Sequence, residues 1–404
     1  MSSPEFDVVI VGAGIAGGAL VRALAQLDLR LALIEVRPVA EEPEPVATGV
    51  EGFDARVSAI TPASQSLLQS LGVWESITST RACPYRHMHV WDGEGSASID
   101  FDASELDAPV LGHIIENRVL TGALLEDIGK RAELTVFSPA RLQDLYRDEA
   151  GHCRLQLEDG RELSCQLLVA ADGALSRVRQ LADFRTREWD YGHHALVASV
   201  ETERYHQATA YQRFMATGPL AFLPLASQGD RHYSSIVWSV KPELAESLQA
   251  LSDEDFCAEL GRSFEHRLGE IRAVAPRFAF PLRQRHAINY VQPGIALVGD
   301  AAHTIHPLAG QGINLGLQDV AALSEELARA VKRGSSVGAM EVLSRYQRRR
   351  KGENMLMMTA MDGFKRLFEE QSLPLRWLRN TGMRLVAQAG PLKQQLMRHA
   401  MGVR

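Results

Sequence analysis

Cysteine is scarce in this 404-residue chain, and Cys83, Cys153, Cys165 and Cys257 are scattered without a CxxC spacing. That excludes a zinc-finger ligand set and a disulfide framework, and it suits a reducing cytosol. Uninterrupted apolar runs of about 18 residues are missing, so no membrane-spanning helix is expected. The N-terminus has no basic region ahead of its first apolar segment, so no signal peptide is expected. Positive charge is not in excess: 43 Lys and Arg stand against 50 Asp and Glu, a net charge of −7, which argues against a general nucleic-acid binder. No internal repeat, low-complexity tract, Ser/His/Asp triad or metal-ligand cluster is visible. What remains is a globular composition, long enough for two domains or for one large domain with an insert.

The first informative stretch is FDVVIVGAGIAG at 6–17. Its β-branched run reads as a buried parallel strand, and a helical segment, GALVRALAQL, follows the glycines. A second strand, LALIEV, ends near Glu35. A GxGxxG between strand and helix, with an acidic residue about 20 positions on, is the context a dinucleotide fingerprint requires. Gly12 permits the tight turn, Gly14 lets a pyrophosphate approach, and Gly17 lets helix and strand pack closely. Glu35 would accept hydrogen bonds from an adenosine ribose, which favours FAD or NAD over NADP at this site. No second GxGxxG exists, so a separate nicotinamide domain is not expected.

Residues 38–54 read as a solvated loop. Arg56 stands at the entrance of an apolar segment and is either a surface residue or a ligand contact, and a helix is expected around 63–71. Residues 101–109 are acidic and loop-like. The segment HIIENRVLTGALL at 113–125 turns helical at Asn117. Arg118 then sits in a first turn, where a cation opposes the helix dipole unless an anionic ligand lies nearby. Alternating runs between 133 and 168 with Asp159-Gly160 between them indicate a hairpin. A third buried strand, QLLVA at 166–170, delivers Asp172-Gly173 followed by Ser176, Arg177 and Arg179. This is either a plain turn or a phosphate- or ribose-recognising one. Residues 183–282 lose the βα rhythm and read as an antiparallel sheet, with a helix at 251–268. The expected organisation is a discontinuous nucleotide-binding domain (1–182 and 283–330), an α+β insert (183–282) and a C-terminal helical region (331–404). Part of 81–110 would line the substrate side.

The stretch LVGDAAHTIHPLAGQGINLGLQD at 297–319 begins as a short strand, breaks at Gly299-Asp300 and opens into a helix at Asn314. Its glycines let a ligand approach the backbone, and the helix start offers unpaired N–H groups to negative charge. His303 and His306 have i,i+3 spacing, but no carboxylate-rich segment supports a metal site, and a structural role is expected. Helices are expected at 320–331 and from 340 onward. Residues 345–351 are basic, and 373–404 hold six Lys or Arg and no Asp or Glu, with Leu375, Trp377, Leu378, Leu385 and Met397. This region is either a helix packed on its domain or a basic amphipathic surface for anionic lipid.

The three motifs GAGIAG with Glu35, ADGALSRVR and LVGDAAHTIHPLAGQGINLGLQD, in that order, resemble the flavoprotein aromatic hydroxylases, the fold class of p-hydroxybenzoate hydroxylase. The segments ARVSAITPAS, LGHIIENRV, WDYGHHALVA, LAFLPL and SIVWS further resemble the ubiquinone-biosynthesis hydroxylases, nearest to the bacterial C5-hydroxylases of the polyprenylphenol ring. The resemblance spans nearly the whole chain and implies an α/β, Rossmann-like FAD-binding domain with an inserted antiparallel sheet. It implies that Gly12, Gly14, Gly17 and Glu35 hold the ADP half of FAD, with Arg56, Arg118, Asp172, Gly173 and Asp300 also near the cofactor. Pro307, Gly310, Gly312, Ile313 and Asn314 would form the flavin seat, where helix N–H groups stabilise the anionic reduced ring. NAD(P)H would serve as transient reductant and O2 as co-substrate. A prenylated phenol would be hydroxylated through a flavin C4a-hydroperoxide shielded from water. A base for the phenol could be His193, His194 or Tyr233, and none is singled out. A soluble aromatic acid as substrate, or a flavoprotein reductase of isoprenoid double bonds, are the alternatives. A cytoplasmic location is expected, with peripheral membrane contact or a biosynthetic complex as partner arrangements.

Overall fold

The computed structural model describes residues 5–39, 47–95, 97–130, 133–304, 312–369 and 390–402. Pro307, Gly310 and His306, and most of the basic stretch from 373, lie outside them.

The strand Phe6–Val11 is the centre of the first sheet, with parallel neighbours Leu31–Ile34 on one side and Glu162–Ala170 on the other. Val8, Val9 and Ile10 are fully buried because both faces are covered, which is why they read as one continuous apolar run. Leu134–Phe137 extends the sheet beyond Leu31–Ile34, and Ile295–Leu297 extends it beyond Glu162–Ala170. The helix Ile15–Leu24 packs on this sheet, beside the long helix Gly312–Lys332. The sequence suggests a hairpin followed by a separate third strand, but one nine-residue strand serves both. The first half of Glu162–Ala170 pairs antiparallel with Cys153–Leu157, and the second half runs parallel to Phe6–Val11. The hairpin turn does fall at Gly160, whose φ is +87°.

Among the described residues, the second sheet has nine strands. Thr186–Thr202, Arg231–Val240, Gly218–Gln228 and Thr209–Met215 form its antiparallel centre. His87–Asp92 joins in parallel with Thr209–Met215 and Ser98–Asp102 pairs beside it, so 81–110 contributes two strands to this sheet. Residues 101–109 therefore form a strand end and the 3-10 turn Ala103–Leu106, where a loop was expected. On the opposite side, Phe278–Ala287 pairs with Thr186–Thr202 and then reaches the short strand His303–Thr304 of the third motif. One face is covered by the helices Pro242–Ala250, not anticipated, and Asp253–Ser263, which occupies the middle of the expected 251–268 helix. Leu196, Phe222, Ile236 and Trp238 pack against Phe256 and Leu260 there. The other, inner face meets a three-stranded antiparallel sheet of Val57–Ile60, Gly112–Glu116 and Cys83–Tyr85.

The helix Met340–Glu369 packs along Gly312–Lys332. The helix Gly390–Ala400 returns to the second sheet, burying Met397 beside Ala103 and Leu111 and placing Lys393 Nζ 2.5 Å from Glu105. At these two positions the C-terminal region packs inward. Among the described residues, no helix is long and apolar enough to cross a membrane.

Candidate functional site

The carboxyl ends of the parallel strands open into a cavity of about 810 Å³, at the place where an open α/β sheet binds ligands. All three motifs reach it. Gly12, Gly14, Glu35, Arg56, Asp172, Gly173, Asp300, Gly312 and Ile313 line it.

The glycines divide by role. Gly12 has φ +101°, and a Cβ there would stand 2.5 Å from the carbonyl oxygen of Ala171. A Cβ on Gly17 would stand 1.9 Å from the carbonyl oxygen of Gly12, so Gly17 sets the helix–strand approach and lies behind the cavity wall. A Cβ on Gly14 would meet nothing within 4 Å, because that position faces open space. Gly316, which the sequence reading did not single out, also lines the cavity. A Cβ on Gly316 would stand 3.2 Å from the Cα of Gly299, so helix and turn approach backbone to backbone.

The charged groups are held but not saturated. Glu35 accepts hydrogen bonds from the backbone N–H groups of Ala13 (2.7 Å) and Arg37 (3.0 Å), fixing the glycine loop against the second strand. Asp172 Oδ2 accepts from the N–H groups of Arg177 (2.7 Å) and Val178 (3.2 Å), capping a short helix, while its buried Oδ1 has no partner among the described residues. Burial pushes the Asp172 carboxyl above its ordinary range. Asp300 faces the cavity from the turn Gly299–Ala301; protein crowds it on the other sides, and that burial also raises its carboxyl, against the nearby positive charges of His303 and Arg56. An unpartnered acceptor on Asp172, the Asp300 carboxyl and the exposed guanidinium of Arg56 around a deep cavity fit a large ligand carrying phosphates and hydroxyls.

Two anticipated contacts are placed elsewhere. Arg118 does not line the cavity. Its guanidinium bonds the Gly52 carbonyl and the buried carboxylate of Glu116 (3.1 Å), which Arg81 also holds at 2.6 Å. The neighbouring Asn117 and Thr121 line the cavity in its stead. Asn314 is likewise a buried clamp: its Oδ1 accepts from Thr61 N–H (3.0 Å) and its Nδ2 donates to the Ala59 carbonyl (2.7 Å). That fixes the helix Gly312–Lys332 so that its first turn, at Gly312 and Ile313, faces the cavity.

Behind the same helix lies a buried ionic cluster. His303 Nε2 is 2.5 Å from Asp319 Oδ2, which also accepts from Gly299 N–H at 3.0 Å. Asp319 Oδ1 takes bonds from Arg350 Nε (2.8 Å) and Asn354 Nδ2 (3.3 Å). Burial opposes ionisation of Asp319, but His303 and Arg350 outweigh it and hold the carboxyl below its ordinary range. His303 is thus committed to Asp319, and His306 lies outside the described residues. Arg179, which the sequence offers with Arg177 as part of either a plain turn or a phosphate- or ribose-recognising one, is buried and donates to the carbonyls of Ala301 (2.9 Å) and Ala174 (2.7 Å), joining the second motif to the third. Neither His193, His194 nor Tyr233 lines the cavity. Tyr233 is fully buried against Phe53, the two ring centroids 5.0 Å apart, and its hydroxyl has no partner among the described residues.

Residues 5–360 match a protein family described as an FAD binding domain. The chain is 40% identical over 403 residues to the 3-demethoxyubiquinol 3-hydroxylase of Escherichia coli (strain K12), covering all of both. It is 40% identical over 396 residues to the ubiquinone hydroxylase UbiL of Rhodospirillum rubrum, covering 98% of this chain and 89% of that one. Human ubiquinone biosynthesis monooxygenase COQ6 is 33% identical, with 98% and 92% covered. Among solved structures, PqsL of P. aeruginosa in complex with 2-aminobenzoylacetate superposes with a TM-score of 0.78 at 23% identity, covering 94% of this chain and 99% of that one. That last likeness is one of fold.

Proposed function

The chain belongs to the FAD-binding family of flavoprotein monooxygenases, and from that premise we propose that it hydroxylates a prenylated phenol in ubiquinone biosynthesis. The observation that carries the reading is the meeting of three sequence-distant motifs on one cavity with unpaired polar groups. Glu35 would hold the adenosine ribose, and the open backbone at Gly14 would take the pyrophosphate. Arg56, Asp172 and Asp300 would hold the phosphate and ribityl part, and the N–H groups at Gly312 and Ile313 would lie against the ring. FAD, once bound and reduced by NAD(P)H, supplies activation of O2 and delivery of an oxygen atom to an electron-rich ring.

The chain's own residues then have three tasks. The glycine loops admit the cofactor closely, and the first turn of Gly312–Lys332 places positive dipole where the reduced ring carries negative charge. The inner face of the second sheet covers the phenol and keeps water out. Near Ala55 that face presents the apolar cluster of Ala195, Val197, Val237 and Leu282. A soluble aromatic acid would need a cationic clamp there, so the apolar lining favours the prenylated substrate. Such a substrate resides in a bilayer, so the enzyme meets it as a peripheral protein or through a partner.

The test is reconstitution with FAD followed by turnover of a demethoxyubiquinol analogue bearing one isoprene unit under 18O2. Label in the ring product is expected. Saturation of the isoprene without label would identify a reductase, and a protein that takes up no flavin would end the reading.

A further inference from the structure

The apolar cluster of Ala195, Val197, Val237 and Leu282 does not stop at the buried layer. Phe280 stands directly opposite Ala195, and Phe278 opposite Val197, on the strand Phe278–Ala287. Residues directly opposite in paired strands point to the same face, so both phenylalanines continue the inner face outward. They remain 45% and 42% exposed, for Phe278 and Phe280 respectively, with near-parallel rings whose centroids are 6.5 Å apart. Among the described residues, the strand has no partner on its outer side at these positions, its pairing with His303–Thr304 being at Arg285 and His286. The inner end of the strip touches the cofactor cavity: Ala55 packs in the cluster, and its neighbour Arg56 lines the cavity. Two large exposed rings continuous with a buried apolar path mark an interaction surface.

We propose that Leu282, Phe280 and Phe278 form the track along which the isoprenoid tail leaves the ring-binding site, the tail lying along this face of the second sheet. This rests on the hydroxylase reading above and assigns the tail-recognising residues. A strand rises about 3.3 Å per residue, so Leu282 to Phe278 spans about 13 Å, room for roughly two to three isoprene units. The strip therefore recognises the first units of the tail and is indifferent to those beyond, which fits a substrate whose distal chain stays in lipid.

The experiment compares demethoxyubiquinol analogues with one and with four isoprene units, using the FAD-loaded full chain and the double variant Phe278→Ser/Phe280→Ser. Both side chains are solvent-exposed, and a thermal melt of the variant checks that it folds; Phe280→Trp serves as a second, apolar variant. The expected result is a KM for the four-unit analogue raised on the order of tenfold in the serine variant. The kcat should be unchanged, the one-unit analogue should change less than about twofold, and Phe280→Trp should keep the parental KM. Equal KM values for the four-unit analogue in parent and serine variant would overturn the track and leave the two rings as a protein-contact face. Failure of the parent to hydroxylate even the one-unit analogue would overturn the underlying reading and this inference with it.

Discussion

The helix Gly312–Lys332 has two sides built on opposite terms. Toward the cavity it shows Gly312, Ile313 and Gly316, which share that cavity with the unpartnered Oδ1 of Asp172 and with Asp300. Away from it, Asn314, Asp319 and Glu326 are buried and bonded to groups more than 10 residues distant: Ala59 and Thr61, His303 and Arg350, and Arg345. The saturated side fixes the unsaturated one. Gly299 N–H is bound to Asp319, and the next residue is Asp300, so the buried cluster sets where the cavity carboxylate points. A site that must hold a large polar ligand keeps its own groups unpaired, and rigidity comes from the far side of the element that carries it.

The largest way to break this contrast is Asp319→Ala, which strands Arg350 and His303 in the interior. A loss of about 3–5 kcal/mol is expected, read by chemical denaturation of the apoprotein. A parental midpoint would mean the cluster anchors nothing. Gly17→Ala comes next: its Cβ must displace the Gly12 carbonyl, costing about 1–3 kcal/mol and weakening FAD retention. Gly14→Ala adds a methyl group into open cavity, so apoprotein stability should hold within about 0.5 kcal/mol while FAD affinity falls, as flavin fluorescence titration would report.

The smallest effect has opposite signs on the two sides. Asp319 gives up its proton more readily folded than unfolded. Its contribution is complete above the ordinary carboxylate pKa of about 4 and is lost as pH falls through its depressed folded value. Asp172 and Asp300 hold their protons more tightly when folded. Their ionisation costs stability as pH rises from about 4 through their raised values. Asp300→Asn should therefore raise the apoprotein melting temperature slightly at neutral pH, with the gain vanishing in acid. A lowered melting temperature at pH 7 would contradict that sign.

How much of this could be read in the sequence follows from how local each interaction is. The FDVVIV strand, the glycine fingerprint and the Asn117 helix start depend on neighbours within a turn or a strand, and the chain states them openly. Glu162–Ala170 looks like two strands because its pattern changes when its partner changes, and the partner strands lie elsewhere in the chain. Arg118 reads as a ligand contact from its helix position. What takes it is the Gly52 carbonyl and Glu116, a carboxylate shared with Arg81 and buried by the tertiary fold. Asn314 looks like part of the seat and turns out to fasten it, through partners about 250 positions earlier. Gly316 is one more small residue in a helix until Gly299 is brought against it.

The central strand Phe6–Val11 is the first piece of this sheet to leave the ribosome, yet its neighbour Glu162–Ala170 and the helix starting at Gly312 emerge far later. Gly12 and Gly316 face the same cavity across about 300 residues of chain, on the order of 15–60 s of synthesis at typical rates. During that interval the fingerprint loop exists without its opposite wall, and a flavin has nothing to close against. The cavity is thus complete only once the helix Gly312–Lys332 has been made and packed against the glycine loop.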